Sequence, residues 1–165
     1  EETLNYSLTT MRPITLASEA DKGYTFKGAT LLNDGLKGDG NYRSGRYMGF
    51  YSNNVDATID LQSEQEISEA FIDTYLVPGD YIFGLTGMEV YVSNDGKSFS
   101  KVASRQIPVL EKGSKNNVPC HNTLAFDKTK ARYVRIVGKC TPTLPAWHSG
   151  AGKKAFLFVD EIGVN

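Results

Sequence analysis

The sequence predicts an all-β sandwich, and three observations carry that prediction. Apolar and polar residues alternate over short runs, the periodicity of strands with one buried face. The 3.6-residue spacing of amphipathic helices is almost absent. Gly, Asn, Asp and Pro cut the runs at short intervals, as the many turns of a sandwich or barrel require. A chain of 165 residues is long enough to bury a full core as one domain.

Taken in order, residues 1–12 are expected to be a tail or an inter-domain connection, and residues 13–165 the domain. One short helical turn fits Gly28-Ala29-Thr30-Leu31-Leu32. Tyr47, Met48 and Phe50 read as the packed side of a strand. In Ala57-Thr58-Ile59-Asp60-Leu61 three apolar residues face one way and two polar ones the other. Met88, Val90 and Val92 alternate with Glu89, Tyr91 and Ser93. Asn94-Asp95-Gly96-Lys97 then supplies the Asp-Gly chemistry of a tight hairpin, and a second strand over 98–104 completes it. Val134 and Ile136 face one way in a strand over 133–137. Residues 155–164 are apolar on both faces over their first half, which places that strand in the middle of a sheet. No repeat, low-complexity stretch or internal linker divides the chain, so it reads as one domain.

Composition narrows the function. Eighteen Lys and Arg against nineteen Asp and Glu give a net charge of -1, without the basic excess of a nucleic-acid binder. The longest unbroken apolar run, 155–159, is far short of a membrane span. Glu1-Glu2-Thr3 is not the start of a signal peptide, so the chain is expected to begin after processing or inside a larger protein. Cys120 and Cys140 fit either a disulfide in an oxidising compartment or two small buried residues, and free thiols are the preferred reading. No Cys-x-x-Cys spacing supports a zinc or thioredoxin-type site.

Six landmarks in order resemble a known family. They are residues 28–39, with the Asp34-Gly35 pair after an apolar turn; Gly45-Arg46-Tyr47-Met48-Gly49-Phe50; Ala57–Leu61; the hairpin 88–99; Ala131-Arg132-Tyr133-Val134-Arg135-Ile136; and Phe158-Val159-Asp160-Glu161-Ile162. Together they resemble the coagulation-factor V/VIII type C (discoidin-like) domains from about residue 12 onward. Residues 45–50 and Trp147-His148-Ser149-Gly150-Ala151-Gly152 resemble the variant at the C-terminus of bacterial family 20 β-N-acetylhexosaminidases, or chitobiases. The resemblance implies a galactose-binding-like jelly-roll sandwich of roughly eight antiparallel strands. It implies a secreted, periplasmic or cell-surface bacterial glycoside hydrolase as the parent protein, with the catalytic domain of the same polypeptide as a partner. Related family 32 carbohydrate-binding modules bind galactose and N-acetylhexosamines through loops at one end, so galactose, GalNAc or GlcNAc is the implied ligand.

No catalytic residue is expected. Asp160-Glu161 lies in a strand, where neighbours point to opposite faces, whereas glycoside hydrolysis needs acidic groups converging on one bond. His121 and His148 are the only histidines, and no nucleophile signature accompanies them. Asp34 and Asp39 in a Gly-rich loop are hard oxygen ligands of the kind calcium takes. The resemblance implies a structural calcium there, closed by Glu161; the alternative has Asp34 capping a turn and Glu161 pairing with an arginine such as Arg135.

For sugar, an aromatic platform and fixed hydrogen-bonding groups are needed, and loops on a rigid sandwich supply both. The candidates are Tyr42 and Arg46 in one connection, Asp80 and Tyr81 in a second, and Trp147 and His148 in a third. A lone tryptophan is as often a core or interdomain plug as a platform. The expected function is a non-catalytic carbohydrate-binding accessory domain, the alternative a structural domain that packs on the catalytic one. Leu76-Val77-Pro78 is a candidate membrane tip, but no basic residue stands beside it and membrane docking is not expected.

Overall fold

Alternating burial decides where the strands run. The computed structural model describes Leu4 and residues 6–165. Residues 1–3 and 5 of the expected tail lie outside the described residues. Seven strands follow in order: β1 (Ile14–Leu16), β2 (Met48–Tyr51), β3 (Val55–Leu76), β4 (Gly87–Ser93), β5 (Ser100–Gln106), β6 (Val118–Lys139) and β7 (Phe156–Val164). The sheet order is β2-β7-β3-β6-β4-β5, with β1 beside β3, and every pairing among these strands is antiparallel.

The count differs from the expected eight because β3 and β6 are each 22 residues long and serve both layers. In β3 the buried positions Val55, Ala57, Ile59 and Leu61 give way to exposed residues 62–64. There Gln62 takes a left-handed φ of 67°, its N–H donates to Asp60 Oδ1 at 2.7 Å, and the register with β6 shifts between Asp60 and Gln65. Such an irregularity bends a strand and raises its twist. Before the bend β3 pairs with β1 and the end of β6; after it, with β7 and the start of β6. Ala57, Ile59, Met88, Val90, Val134 and Ile136 from one layer meet Ile72, Leu124, Leu157, Val159 and Ile162 from the other in one core. Gly138 has no room for a side chain between them: a Cβ there would stand 2.7 Å from Val55 and 2.8 Å from Ile72.

The two outer faces differ. On the layer containing β4 and the end of β6, Arg135 pairs with Asp56 (2.7 Å), Arg132 with Asp60 (2.9 Å) and Lys101 with Glu89 (2.7 Å). Arg135 is therefore not the partner of Glu161. On the other layer Phe71, Asp73, Tyr75 and Phe158 are buried even though they point outward. Segments from the first 47 residues cover them. Within 6–12, Leu8 N–H donates to Val164 O, Met11 N–H to Asn33 O, and Thr9 is buried. The expected helical turn is a short 3-10 helix, Ala29–Asn33, whose Leu31 and Leu32 enter the core. Both cysteines are free thiols, Cys140 buried and Cys120 partly so.

One local expectation is overturned. β7 pairs Glu161 with Asp73 and Val159 with Thr74, which leaves Asp160 as an extra residue in a bulge. The extra residue cancels strict alternation. Asp160 and Glu161 consequently turn to the same loop: Gly38 N–H donates to Asp160 Oδ2 at 2.8 Å and Gly35 N–H to Glu161 Oε1 at 3.0 Å. The pair is structural, fixing the 34–38 turn to the sheet.

Candidate functional site

At one end of the sandwich β3, β5 and β6 stop together, leaving loops 77–86, 107–117 and 140–155 side by side. The first loop is pinched by Val77 pairing with Ile82 and holds a 3-10 turn, Pro78–Asp80. Tyr81 ends that turn at φ 67°, its N–H donating to Pro78 O at 3.1 Å. Leu76, Val77 and Pro78 are all buried, so the candidate membrane tip is part of the packed base of the loop. Among the described residues no helix is long and apolar enough to cross a membrane.

The third loop folds on itself through Leu144 N–H to Lys153 O (2.8 Å) and Gly152 N–H to Leu144 O (3.0 Å). His148 fastens it to the first. Its Nε2–H donates to Pro78 O at 2.7 Å, and its Nδ1 accepts from Gly150 N–H at 2.9 Å. Those two bonds require the neutral tautomer protonated at Nε2. With the residue only 8% exposed and both nitrogens committed, His148 braces the loops and has no nitrogen left for a ligand. Tyr81 packs edge-on to His148 at 5.2 Å and lies against Gly150, where a Cβ would come within 2.7 Å of the ring.

Trp147 is half-buried. Its indole stacks on the fully buried Phe83 at 5.9 Å and 30° between planes, with Leu144, Ala155 and Leu110 packed around that ring. The second loop reaches over through Asn116, whose Oδ1 accepts from Gly79 N–H at 2.9 Å. The three loops enclose an open cleft of about 290 Å³ lined by Pro78, Gly79, Lys112, Ser114, Asn116, Trp147, His148 and Ser149. A rigid aromatic wall thus faces amide, hydroxyl and ammonium groups.

Of the expected sugar contacts, the structure brings Trp147 and His148 into this cleft, with Asp80 and Tyr81 on the loop beside it. Tyr42 tethers that loop, its hydroxyl donating to Asp80 Oδ2 at 2.9 Å. Burial, then Asp80, pushes the Tyr42 phenol above its ordinary range. Its ring lies between Tyr24 and Phe158, with the Arg43 guanidinium 4.8 Å from its centre. Arg46 lies apart, in a separate cavity with Lys27 and Asp34. Tyr47 is buried against Tyr75, and burial pushes its phenol up to about 12.

Lys112, Ser114, Asn116 and Ser149 were not singled out from sequence. The available signal was the wholly polar stretch 111–117 between Leu110 and Val118.

The expected calcium ligands separate. Asp39 is exposed and accepts from Asn41 N–H and Ser44 Oγ in its own turn. Asp34 caps its turn through Leu36 N–H (2.9 Å) and meets Lys27 at 2.7 Å. It also adjoins Glu161, which is fully buried with Oε2 unpartnered. Burial first, and Asp34 after it, pushes the Glu161 carboxyl up to about 10. Among the described residues no group of three or more His, Cys, Asp or Glu side chains is arranged for a metal. Of the three expected ligands, Asp34 and Glu161 adjoin each other.

An F5/8 type C domain model matches residues 13–156. No curated protein matches the chain. Several solved structures share the fold. CpGH89CBM32-5 from Clostridium perfringens, in complex with GalNAc-beta-1,3-galactose, superposes with a TM-score of 0.55 at 22% identity, over 92% of this chain and 93% of that one. A fucose-binding module of Streptococcus pneumoniae gives 0.58 at 20% identity, over 97% and 94%. SpGH29 gives 0.60 at 13% identity, where 96% of this chain corresponds to 27% of the other.

Proposed function

The chain belongs to the F5/8 type C domain family, and on that premise we propose that it is a carbohydrate-binding module whose ligand sits in the Trp147 cleft. The observation that carries this reading is the convergence of three loops on one half-buried indole, backed by Phe83 and rimmed by Lys112, Ser114, Asn116 and Ser149. The apolar face of a pyranose stacks on an aromatic plane, and its hydroxyls need partners of fixed position. His148 and Asn116 tie the loops together before any ligand arrives, which lowers the ordering cost of binding. A shallow cleft that covers one sugar gives affinity of roughly millimolar order, about -4 kcal/mol.

The solved neighbours that bind sugars support the reading, as does SpGH29, in which this fold makes up about a quarter of a longer chain. In the proposal the domain is a non-catalytic accessory of a secreted bacterial glycoside hydrolase of the β-hexosaminidase type, binding a terminal galactose, GalNAc or GlcNAc unit. It also includes one structural calcium ion held by Asp34 and Glu161, where a divalent cation would replace the proton that Glu161 otherwise keeps. Calorimetric titration with these three sugars tests the module. Binding by the native chain, lost at least tenfold in Trp147→Ala, is expected. No heat at millimolar sugar, or an unchanged Trp147→Ala, would overturn it.

The second reading is a structural domain that packs on the catalytic one. It is favoured by the exposed apolar side chains of Tyr6, Met11, Phe26 and Tyr51. Under it, removing this domain from the parent enzyme lowers that enzyme's stability, and the isolated domain binds no sugar.

A further inference from the structure

The donor and acceptor inventory of the Trp147 cleft goes beyond sugar binding in general. Building on that reading of the cleft, we propose that its preferred ligand is an acidic sugar, a uronic acid at a glycan terminus, with its carboxylate held by Lys112 and the Asn116 amide. The cleft contains no carboxylate of its own. Glu111 is exposed and outside the lining, and Asp80 faces away to the Tyr42 hydroxyl. The nitrogen groups that are left over, the Lys112 ammonium and the Asn116 NH₂, only donate. Asn116 Oδ1 is occupied by Gly79 N–H, so only its NH₂ can serve a ligand. Ser114 Oγ gives its hydrogen to Glu111 O at 2.6 Å, so toward a ligand it can only accept. His148 has committed both nitrogens.

Lys112 completes the imbalance. Elsewhere Lys27, Lys37, Lys101, Lys128 and Lys139 each have a carboxylate within reach. Among the described residues no carboxylate partners Lys112. A neutral sugar hydroxyl can use the Ser114 and Ser149 oxygens, but it leaves the Lys112 ammonium without a counter-charge. A carboxylate only accepts, and a bond between it and an ammonium is about twice as strong as one between neutral groups.

Titration calorimetry at low salt with galacturonate and glucuronate against galactose and glucose tests the assignment, using the native chain, Lys112→Gln, Lys115→Gln and Trp147→Ala. Lys112 is exposed, so its replacement leaves the fold intact. The expected result is that uronates bind about tenfold tighter than their neutral counterparts, a difference of about 1.4 kcal/mol. Lys112→Gln should abolish that preference, so that uronate and neutral sugar bind alike, while Lys115→Gln, outside the cleft, keeps it. Raised salt should weaken only the uronates. Equal affinity for uronate and neutral sugar, or a preference that survives Lys112→Gln, overturns the acidic-ligand inference while leaving the sugar site standing. Absence of all binding, or binding indifferent to Trp147→Ala, removes the sugar site itself.

Discussion

Glu161 is a carboxyl buried for a purpose that its neighbours do not exhaust. Gly35 N–H satisfies one oxygen, and the other has no donor, with the Asp34 carboxylate beside the group. Leaving a buried acceptor unmet costs about 1–3 kcal/mol, so an unfilled group of this kind is either kept protonated or paired with a cation. The proposed calcium separates the two. With calcium at about a hundred times its dissociation constant, the native chain should gain about 2.7 kcal/mol, or about 5–10 °C in Tm. Glu161→Gln, which keeps the shape and discards the charge, should melt at the same temperature with calcium or with chelator. Differential scanning calorimetry of both proteins in both conditions checks it; a native Tm unmoved by calcium would leave Glu161 as a purely protonated brace. Asp39, expected from sequence as a ligand, differs because its side chain finds Asn41 and Ser44 two and five positions away. Such short-range bonds compete with long-range ligation, and residue type alone does not show which wins.

β3 and β6 owe their length to one bend, and the bend rests on Asp60. Its carboxylate accepts from Arg132 Nε at 2.9 Å and Nη2 at 3.1 Å, and from Gln62 N–H in the left-handed turn. The Arg132 bonds hold the Asp60 carboxyl below its ordinary value of 3.8. A folded-state value below the unfolded one means stability that is present above pH 3.8 and is lost as pH falls through the lower value. Acid titration of stability should therefore show a loss in that window that Asp60→Asn lacks, with the variant less stable than the native chain at pH 6. Urea unfolding at pH 6, 4 and 3 reads this directly, and parallel curves for the two proteins would contradict it. The first half of β3 was legible in the alternation of Ala57 to Leu61. The second half was not, because Ala70 to Leu76 is buried on both faces and carries no period of two. The bulge at Asp160 was hidden for a related reason: it exists only relative to the pairing of β7 with β3, and neither strand alone contains it.

The molecule as a whole is a charge-balanced sandwich whose polar outer layer is tied up in ion pairs and whose loops gather at one end. The fold class, the hairpin with Asp95 accepting from Lys97 and Ser98, and the central place of β7 were all readable from pattern and turn chemistry. The site was readable in part. Trp147 and the 77–81 loop stood out as an aromatic and a turn, but the wall from 107–117 carries no aromatic and meets the other loops through contacts far apart in sequence, such as Gly79 with Asn116, 37 positions apart. The bracing by His148 was not readable, because it rests on Pro78, 70 positions away, as well as on the nearby Gly150. The central claim is that sugar occupies the cleft formed by these three loops. Amide chemical-shift mapping of the native chain during titration with galactose and galacturonate tests it most directly. The expected shifts cluster on Gly79, Lys112, Ser114, Asn116, Ser149 and the Trp147 indole N–H, and leave Arg46 still. Shifts centred on Arg46 and Lys27, or none at tens of millimolar sugar, would contradict it.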